Sequence, residues 1–448
     1  TLRLVRVGDY EFSQDESLLL VSSNHNPIYR HSFTADYYVA KVGGRAEVLA
    51  PEIEGKRDAV ISPDNRWVGF VAENDLYIAD MQNGGEVRRL TDDGKRNHII
   101  NGATDWVYEE EFAFTRAFAF SPDGQKMAYL RFDESEVKEF EMMRYDENLY
   151  NTAYRFKYPK AGDENSIVTL HVYDLYTKET REIPVGDNAD QYIPRIDYTP
   201  AGNLFYYRVN RLQNHFEVVM VENDGTQRVI YNEQDERYVE RPNEATITFI
   251  DKERFIVREE TTTGWFHLYL HSVNEGRLNA ITEGEWEVTQ FVGLSPDHKT
   301  VYYMSTEQSP LERHLYVIDL DGKGKKCLLS KPGYWRVYPS ANMNYFAAEH
   351  SATDCYPTAA VYNAKGKMVR SLMLEKKSNT KPAYQRNYET FTTERGDVLN
   401  AWRILPENFN ATKKYPVVMM QYSGPSSQRV TDTWRKRFGH YLASQGYL

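Results

Sequence analysis

Cysteine is scarce in this chain: only Cys327 and Cys355 occur among 448 residues. Two cysteines cannot supply the dense framework of bridges that stabilises small secreted domains, so a disulfide scaffold is excluded. The sequence leaves open whether the two form one bridge or remain free thiols. Long hydrophobic runs are also absent, and no apolar stretch is long enough to span a bilayer as a helix.

Motifs for cofactors and metal ions are missing as well. The sequence contains no glycine-rich phosphate loop and no group of ligands at metal-binding spacing. His267 and His271 lie four residues apart, but in a strand-like run without the glutamate that a zinc helix requires. Packing or exposure explains these histidines better than metal binding does. We therefore expect neither a cofactor nor a metal.

Positive charge is in deficit, with a formal net charge of −11. This balance argues against nucleic acid as a partner and mildly favours cationic ligands. The 41% of hydrophobic residues suffices for a large core, and the 34 tyrosines suit half-buried strands. The length allows two or three ordinary domains, or one large repeat domain and a fragment.

Repeats organise most of the chain. The turn signal Ser-Pro-Asp recurs at residues 62–64, 121–123 and 295–297, and a short apolar strand such as residues 67–71 follows each time. Strands separated by Pro, Asp, Asn and Gly turns indicate antiparallel β-structure. A period of roughly 40–50 residues with about four strands per unit is typical of a β-propeller. We count roughly seven units between residue 1 and about residue 380.

The unit that contains Trp106 is longer than the others and carries a charged stretch at residues 133–164, which we interpret as an insertion. Its residues 105–112 read Asp-Trp-Val-Tyr-Glu-Glu-Glu-Phe. Three adjacent carboxylates repel one another and prefer solvent, whereas the aromatic neighbours prefer burial. In a short helical turn, Glu110 and Glu111 can point together at one ammonium group, and each charge-assisted hydrogen bond contributes roughly 1.5–3 kcal/mol. The alternative is an ordinary solvated acidic turn.

The character of the sequence changes near residues 376–390, where residues 376–382 resemble a linker. We therefore predict a β-propeller domain at residues 1–382 and the start of an α/β domain at residues 383–448. A hairpin is expected over residues 388–406, followed by a doubly buried strand at residues 415–422. Residues 434–444 have the apolar spacing of a helix.

At this point the sequence resembles the dipeptidyl peptidase IV family of the prolyl oligopeptidase class of serine peptidases, in its bacterial form. The acidic segment at residues 105–111 is nearly a signature of that family, and the resemblance runs from about residue 10 to the last residue. Further matching stretches are Tyr29-Arg30-His31-Ser32, Tyr158-Pro159-Lys160-Ala161-Gly162, Arg211-Leu212-Gln213-Asn214, Gly284-Glu285-Trp286-Glu287-Val288, Lys414-Tyr415-Pro416 and Tyr422-Ser423-Gly424-Pro425.

The resemblance implies an eight-bladed propeller that caps an α/β-hydrolase domain, with this chain beginning at the second blade and including about seven. It also implies roles for four residues. Glu110 and Glu111 match the pair that binds the free amino terminus of the substrate, and Arg30 matches the arginine that contacts the carbonyl of the penultimate residue. Tyr422 matches a tyrosine whose hydroxyl helps to form the oxyanion hole. Without the resemblance, Arg30 would be read as a surface residue and Tyr422 as a packing residue.

The family places its nucleophile in a Gly-x-Ser-x-Gly segment, followed by Asp and His. No such segment occurs in residues 1–448, so we expect the triad to lie outside this chain and the chain alone to be inactive. No signal peptide is visible, but Thr1 is not a natural start, so an upstream segment that has been removed is compatible with the sequence.

The function implied is that of a serine exopeptidase that releases Xaa-Pro or Xaa-Ala dipeptides from peptides with a free amino terminus. Two alternatives stay open: a prolyl tripeptidyl peptidase, and a non-catalytic propeller that binds peptide amino termini or protein partners. The adjacent Glu110 and Glu111 favour the dipeptidase. The resemblance further implies a homodimer and a periplasmic, cell-surface or secreted location.

Overall fold

The computed structural model describes residues 6–145, 149–186, 189–373, 384, 386–422, 424, 427–435 and 438–448. Within these residues the fold is mainly β, with 34 strands and two short helices. Seven antiparallel sheets of four or five strands follow one another along the chain, and two separate hairpins accompany them. These seven sheets are the blades of a β-propeller, so the predicted fold class and the count of about seven units are confirmed.

The bounds of the strands show the repeat. The first blade is formed by β1 (Val7–Phe12), β2 (Leu18–Pro27), β3 (Phe33–Lys41) and β4 (Ala46–Val48). The second is formed by β5 (Arg57–Ile61), β6 (Trp67–Ala72), β7 (Asp75–Asp80) and β8 (Glu86–Arg89). Each strand pairs with the next one along the chain, which is the meander pattern that short turns produce.

The third blade carries the long insertion and the first helix. Its region contains β9 (Ile99–Asn101), helix α1 (Trp106–Phe112), β10 (Phe118–Phe120), β11 (Lys126–Asp133), β12 (Glu139–Arg144), β13 (Thr152–Lys157), β14 (Ile167–Asp174) and β15 (Thr180–Ile183). Both β9 and β10 pair with β11, which then pairs with β14. Among the described strands, β12 and β13 pair with each other alone, as a hairpin between β11 and β14. The predicted insertion at residues 133–164 is therefore confirmed.

The remaining blades return to the simple pattern. The fourth contains β16 (Gln191–Tyr192), β17 (Ile196–Tyr198), β18 (Leu204–Asn210), β19 (His215–Val221) and β20 (Gln227–Gln234). The fifth contains β21 (Ile247–Phe249), β22 (Arg254–Glu259), β23 (His267–Ser272) and β24 (Gly276–Ala280). The sixth contains β25 (Val288–Leu294), β26 (Thr300–Ser305), β27 (His314–Asp319) and β28 (Lys326–Leu329). The seventh contains β29 (Tyr334–Pro339), β30 (Tyr345–Ala352), β31 (Cys355–Asn363) and β32 (Met368–Met373).

The Ser-Pro-Asp signals form the turns that the sequence predicts. The hydroxyl of Ser62 donates to Asp64 Oδ1 at 2.5 Å and accepts from the backbone N–H of Trp67 at 2.9 Å. The same pair of bonds recurs at Ser121 and Ser295. The serine hydroxyl thus bonds a backbone N–H group that the tight turn leaves without a backbone partner. This explains why the motif recurs where two strands meet.

The core lies between neighbouring blades. One cluster joins Leu20 and Val39 of the first blade to Val68 and Phe70 of the second. A separate cluster joins residues of the sixth and seventh blades, among them Leu315 and Phe346. Alternate residues of each strand supply these contacts, because successive side chains of a strand point to opposite faces.

The chain divides into two compact units, one of residues Thr1–Phe255 with Ser272–Gly276, the other of residues Ile256–His271 with Arg277–Leu448. The predicted boundary at residues 382 and 383 and the predicted linker at residues 376–382 lie outside the described residues, so this domain division stays a prediction.

The C-terminal region agrees in part with the expectation. The hairpin is present as β33 (Arg386–Thr392) and β34 (Val398–Ile404), and helix α2 (Phe438–Ser444) lies within the predicted residues 434–444, of which Trp434 and Arg435 are not helical. The expected strand at residues 415–422 is not formed, and Val417 and Met419 are exposed. Leu448 bonds alongside residues 416–418 in a parallel pattern: its N–H donates to Pro416 O, and its carbonyl accepts from Val418 N–H, both at 2.9 Å. An apolar run becomes a buried strand only when neighbours pair along its length.

Candidate functional site

The acidic segment forms α1, as the sequence predicts. Asp105 precedes the helix in an extended conformation, and its Oδ1 accepts a hydrogen bond of 2.9 Å from the backbone N–H of Tyr108. This is the N-cap arrangement that aspartate favours. The helix ends at Ala113, whose φ of 50° and ψ of 41° are left-handed. A helix of two turns is marginal by itself, so tertiary contacts must hold it.

The aromatic residues of α1 provide those contacts. Tyr108 is 1% exposed, and its ring lies 4.9 Å from Phe132, edge to face. Its hydroxyl accepts a hydrogen bond of 2.9 Å from the backbone N–H of Ile193. Phe112 is also buried, 5.4 Å from the ring of Tyr192. One face of α1 is thus fixed to the third and fourth blades, and the prediction that aromatic neighbours hold the segment down is confirmed.

The three glutamates of α1 have three different environments. Glu109 is fully buried, and its Oε1 accepts hydrogen bonds from the backbone N–H groups of His31 at 2.7 Å and Ser32 at 2.8 Å. The expectation that all three carboxylates prefer solvent is therefore wrong for Glu109. Both backbone donors bind Oε1, whereas Oε2 is buried without a hydrogen-bond partner among the described residues, so the burial of this side chain is only partly compensated.

Glu110 and Arg30 meet across 80 positions of sequence. The Nε of Arg30 lies 2.8 Å from Glu110 Oε2, and the Nη2 lies 2.8 Å from Oε1, so the guanidinium grips both oxygens. The side chain of Glu110 is 25% exposed and that of Arg30 is 66% exposed. The structure thus brings together two residues that the family resemblance alone had connected.

Glu111 has a different arginine partner. The Nη1 of Arg241 lies 3.1 Å from Glu111 Oε2 and donates to the backbone carbonyl of Glu111 at 2.7 Å. Both side chains are about half exposed. Sequence reasoning missed Arg241, because it lies 130 positions from Glu111 in a segment without strand or helix. No local signal distinguishes it from any other surface arginine.

A buried polar layer lies beneath α1. Asp105 is 5% exposed, and burial raises its pKa although hydrogen bonds from Ser166 and Tyr108 oppose the shift. The pKa of Glu134 rises to about 7, first because of burial and then because of the nearby charge of Asp105, while Lys157 opposes the rise. Lys157 itself donates to two backbone carbonyls, those of Ser135 and Val137. The layer therefore couples α1 to the start of the β12–β13 insertion.

Tyr422 belongs to the other compact unit and is described by itself. Its side chain is 61% exposed, and the guanidinium of Arg429 lies 5.7 Å from the centre of its ring. Its neighbours Ser423 and Pro425 lie outside the described residues. The geometry neither tests nor excludes an oxyanion role, so the assignment of Tyr422 stays a prediction.

Neither the histidine pair nor the cysteines form a functional site among the described residues. The ring of His267 is buried and hydrogen-bonded to the Thr282 hydroxyl at 3.0 Å and the Gly284 carbonyl at 2.9 Å. Cys327 and Cys355 are both free thiols, which decides between the two alternatives that the sequence left open. In the part of the chain that the structure describes, no group of three or more potential ligands is placed to hold a metal ion, and no helix is long and apolar enough to cross a membrane.

Seven antiparallel blades and a short helix that carries the adjacent carboxylates Glu110 and Glu111 define a protein of the β-propeller class. Comparison with known families is more specific: residues 13–357 match the model of the dipeptidyl peptidase IV N-terminal region. The chain belongs to the dipeptidyl peptidase IV family, as its sequence motifs predict.

Individual relatives agree with this assignment. The chain is 32% identical to a probable dipeptidyl peptidase 4 of Aspergillus flavus and 30% identical to dipeptidyl peptidase 4 of Trichophyton rubrum, each over 98% of this chain. The crystal structure of Porphyromonas gingivalis dipeptidyl peptidase 4 is similar with a TM-score of 0.92 and 34% identity, over 98% of this chain. The chain spans 60% and 59% of the two curated relatives and 63% of the solved chain.

Proposed function

We propose that the protein is a serine-type dipeptidyl peptidase that releases Xaa-Pro or Xaa-Ala dipeptides from peptides with a free amino terminus. The observation that carries this proposal is the pair Glu110 and Glu111, presented side by side on a helix whose other face is buried, with Arg30 forked onto Glu110. The relatives named dipeptidyl peptidase 4 support the same reaction class.

The paired carboxylates act in this proposal as the receptor for the substrate ammonium. A carboxylate has about four acceptor sites on its two oxygens, so one arginine does not exhaust it. The ammonium group carries three donors and gains charge-assisted hydrogen bonds to both glutamates. Arg30 and Arg241 hold the two carboxylates in place, so little conformational freedom is lost when the amine binds.

An anchored amine also sets the position of cleavage. When the ammonium is held at Glu110 and Glu111, the peptide bond that reacts lies at a fixed distance along the substrate, after the second residue. Arg30 contacts the carbonyl of the penultimate residue in this proposal, and the hydroxyl of Tyr422 donates to the developing oxyanion. We assign no nucleophile, since residues 1–448 contain no Gly-x-Ser-x-Gly segment.

The test compares free and blocked substrates in the full-length protein. Glu110→Gln and Glu111→Gln should each lower kcat/KM for a free-amine Xaa-Pro substrate by at least about tenfold, the equivalent of ~1.4 kcal/mol. The amino-terminally acetylated substrate should react more slowly still, because it carries no ammonium. The exposed residue Glu253 provides the matched control, Glu253→Gln, which should leave kcat/KM unchanged. Equal turnover of acetylated and free substrates would disprove the anchor.

Mass spectrometry of the released product separates the remaining alternatives. Dipeptides support the proposal. Tripeptides would identify a prolyl tripeptidyl peptidase, and retention of free-amine peptides without cleavage would identify a non-catalytic binding propeller.

By the same resemblance we propose a homodimer in a periplasmic, cell-surface or secreted location. Light scattering on the purified protein tests the first part, and cell fractionation tests the second. A monomer, or recovery from the cytoplasmic fraction, would contradict the corresponding part.

A further inference from the structure

The buried Glu109 has no role in the proposed receptor, yet it makes the closest contacts between α1 and the first blade. Its Oε1 accepts from two consecutive backbone N–H groups, those of His31 and Ser32, at 2.7 and 2.8 Å. Glu109 is 0% exposed and Ser32 is 3% exposed. A buried polar oxygen without hydrogen bonds is costly, and Oε2 of Glu109 has no partner among the described residues, so the two bonds to Oε1 are what compensates the burial of this side chain.

The turn whose backbone binds Glu109 also contains Arg30. The backbone N–H of Ile28 donates to Ser32 O at 2.9 Å and closes this turn. Arg30 lies between these two residues, so a carboxylate that fixes the N–H groups of His31 and Ser32 also fixes where the Arg30 side chain starts. Two consecutive glutamates of α1 therefore hold one turn: Glu109 binds its backbone, and Glu110 binds its guanidinium.

The arrangement matters because the side chain of Arg30 is 66% exposed, and a long, exposed side chain loses rotamer entropy when it is ordered. A salt bridge between exposed groups is by itself worth little. A rigid starting point lowers the entropic cost of the fork between Arg30 and Glu110, which is how a supporting residue preorganises a binding site.

We propose that Glu109 is a positioning residue, which sets the Arg30 guanidinium against Glu110 by holding the turn at residues 28–32, and that it acts on substrate binding through Arg30. The inference rests on the proposed function, in which Arg30 and Glu110 contact the substrate. Glu109, the first of the three glutamates of the acidic segment, is thus assigned to the geometry of the receptor and not to the binding of the ammonium group.

Kinetics of Glu109 variants in the full-length protein test this role. Glu109→Ala should raise KM for a free-amine Xaa-Pro substrate by about tenfold or more, because the N–H groups of His31 and Ser32 lose their acceptor and no longer fix the turn that carries Arg30. The kcat per titrated active site should change much less. Glu109→Gln retains a side-chain oxygen that can accept from both N–H groups, so it should restore most of the lost affinity. If Glu109→Ala does not fold, Glu109→Gln and Glu109→Asp still test the role. Aspartate keeps the carboxylate but has a shorter side chain.

A double-mutant cycle with Arg30 separates positioning from general destabilisation. If Glu109 acts through Arg30, then Arg30→Ala combined with Glu109→Ala, or with Glu109→Asp, should have the KM of Arg30→Ala alone. The control is Glu233→Gln, because Glu233 is another buried glutamate of the same compact unit, bonded to the Tyr231 hydroxyl. It should lower the melting temperature without changing KM.

The outcomes distinguish this inference from the proposed function. Additive effects of the Arg30 and Glu109 substitutions, or a normal KM in Glu109→Asp, would overturn the positioning role while leaving the Glu110 and Glu111 results intact. Failure of the proposed function would appear instead as normal kcat/KM in Glu110→Gln and Glu111→Gln.

Discussion

The hydroxyl of Ser166 donates a hydrogen bond of 2.6 Å to Asp105 Oδ2, across 61 positions of sequence. The other oxygen of the same carboxylate caps α1 through the N–H of Tyr108. Asp105 therefore connects the helix that presents Glu110 and Glu111 to the segment that precedes β14. The orientation of the candidate receptor depends on a residue that does not belong to it.

Loss of this connection should destabilise the protein. Asp105→Ala removes the helix cap and leaves the Ser166 hydroxyl and the Tyr108 N–H without their acceptor. We expect a loss of about 1–2 kcal/mol in the free energy of unfolding, the upper range for an N-cap aspartate. Asp105→Asn is the matched control, because asparagine also caps helices and keeps one oxygen. Urea denaturation followed by fluorescence measures both, and equal stabilities of the Ala and Asn variants would refute the capping role.

The raised pKa of Glu134 predicts a specific pH dependence. A carboxyl group with a higher pKa in the folded state holds more protons there than in the unfolded state, so its contribution to stability falls as pH rises. For Glu134 this loss should extend from about 4.5, its ordinary value, to about 7. Glu134→Gln removes the titration and should gain stability relative to the parent on going from pH 4.5 to pH 7.5, by up to the order of 3 kcal/mol.

Melting temperatures at pH 4.5 and pH 7.5 provide the measurement for Glu134. Glu136→Gln is the control, because Glu136 is exposed two residues away. A parallel pH response of the Glu134→Gln variant and the parent would show that Glu134 titrates normally.

Arg30 should not tolerate replacement by lysine. The guanidinium binds both oxygens of Glu110 through Nε and Nη2, and the ammonium of lysine cannot reproduce this fork. We expect Arg30→Lys to lower kcat/KM for Xaa-Pro substrates by about tenfold or more, nearly as much as Arg30→Ala. Steady-state kinetics of the full-length protein decide the matter, with the exposed Arg45→Lys as control. Near-normal activity of Arg30→Lys would mean that only the charge matters.

Tyr422→Phe should affect the chemical step and not substrate binding. A hydroxyl that donates only to the oxyanion of the transition state appears in kcat, and one such donor is typically worth a factor of about 10²–10³. The inhibition constant of a dipeptide product should stay nearly unchanged. The side chain of Tyr422 is 61% exposed, so its loss should not disturb a core. A variant with near-normal kcat would show that the hydroxyl has no part in the reaction.

The repeated turns and the alternating strands could be predicted from the sequence, because the interactions that form them are local. Ser62 bonds to Asp64 and Trp67, all within six residues, and this short-range chemistry recurs in each unit that carries the motif. The cap of α1 is equally local, since Asp105 and Tyr108 are three residues apart. The failure at residues 415–422 has the opposite cause: an apolar run needs strand partners along its length, and the described residues form no strand there, with Leu448 bonded only beside residues 416–418.

The sequence by itself determined the seven-bladed architecture, the position of the inserted unit and the presence of an acidic helix at residues 105–112. It did not determine what each carboxylate of that helix does. Glu109, Glu110 and Glu111 are identical side chains in consecutive positions, so composition and spacing cannot distinguish them. Only the tertiary structure places backbone N–H groups against the first, Arg30 against the second and Arg241 against the third. Those partners lie 77 to 130 residues away, and the stacking of the blades, not the local sequence, brings them together.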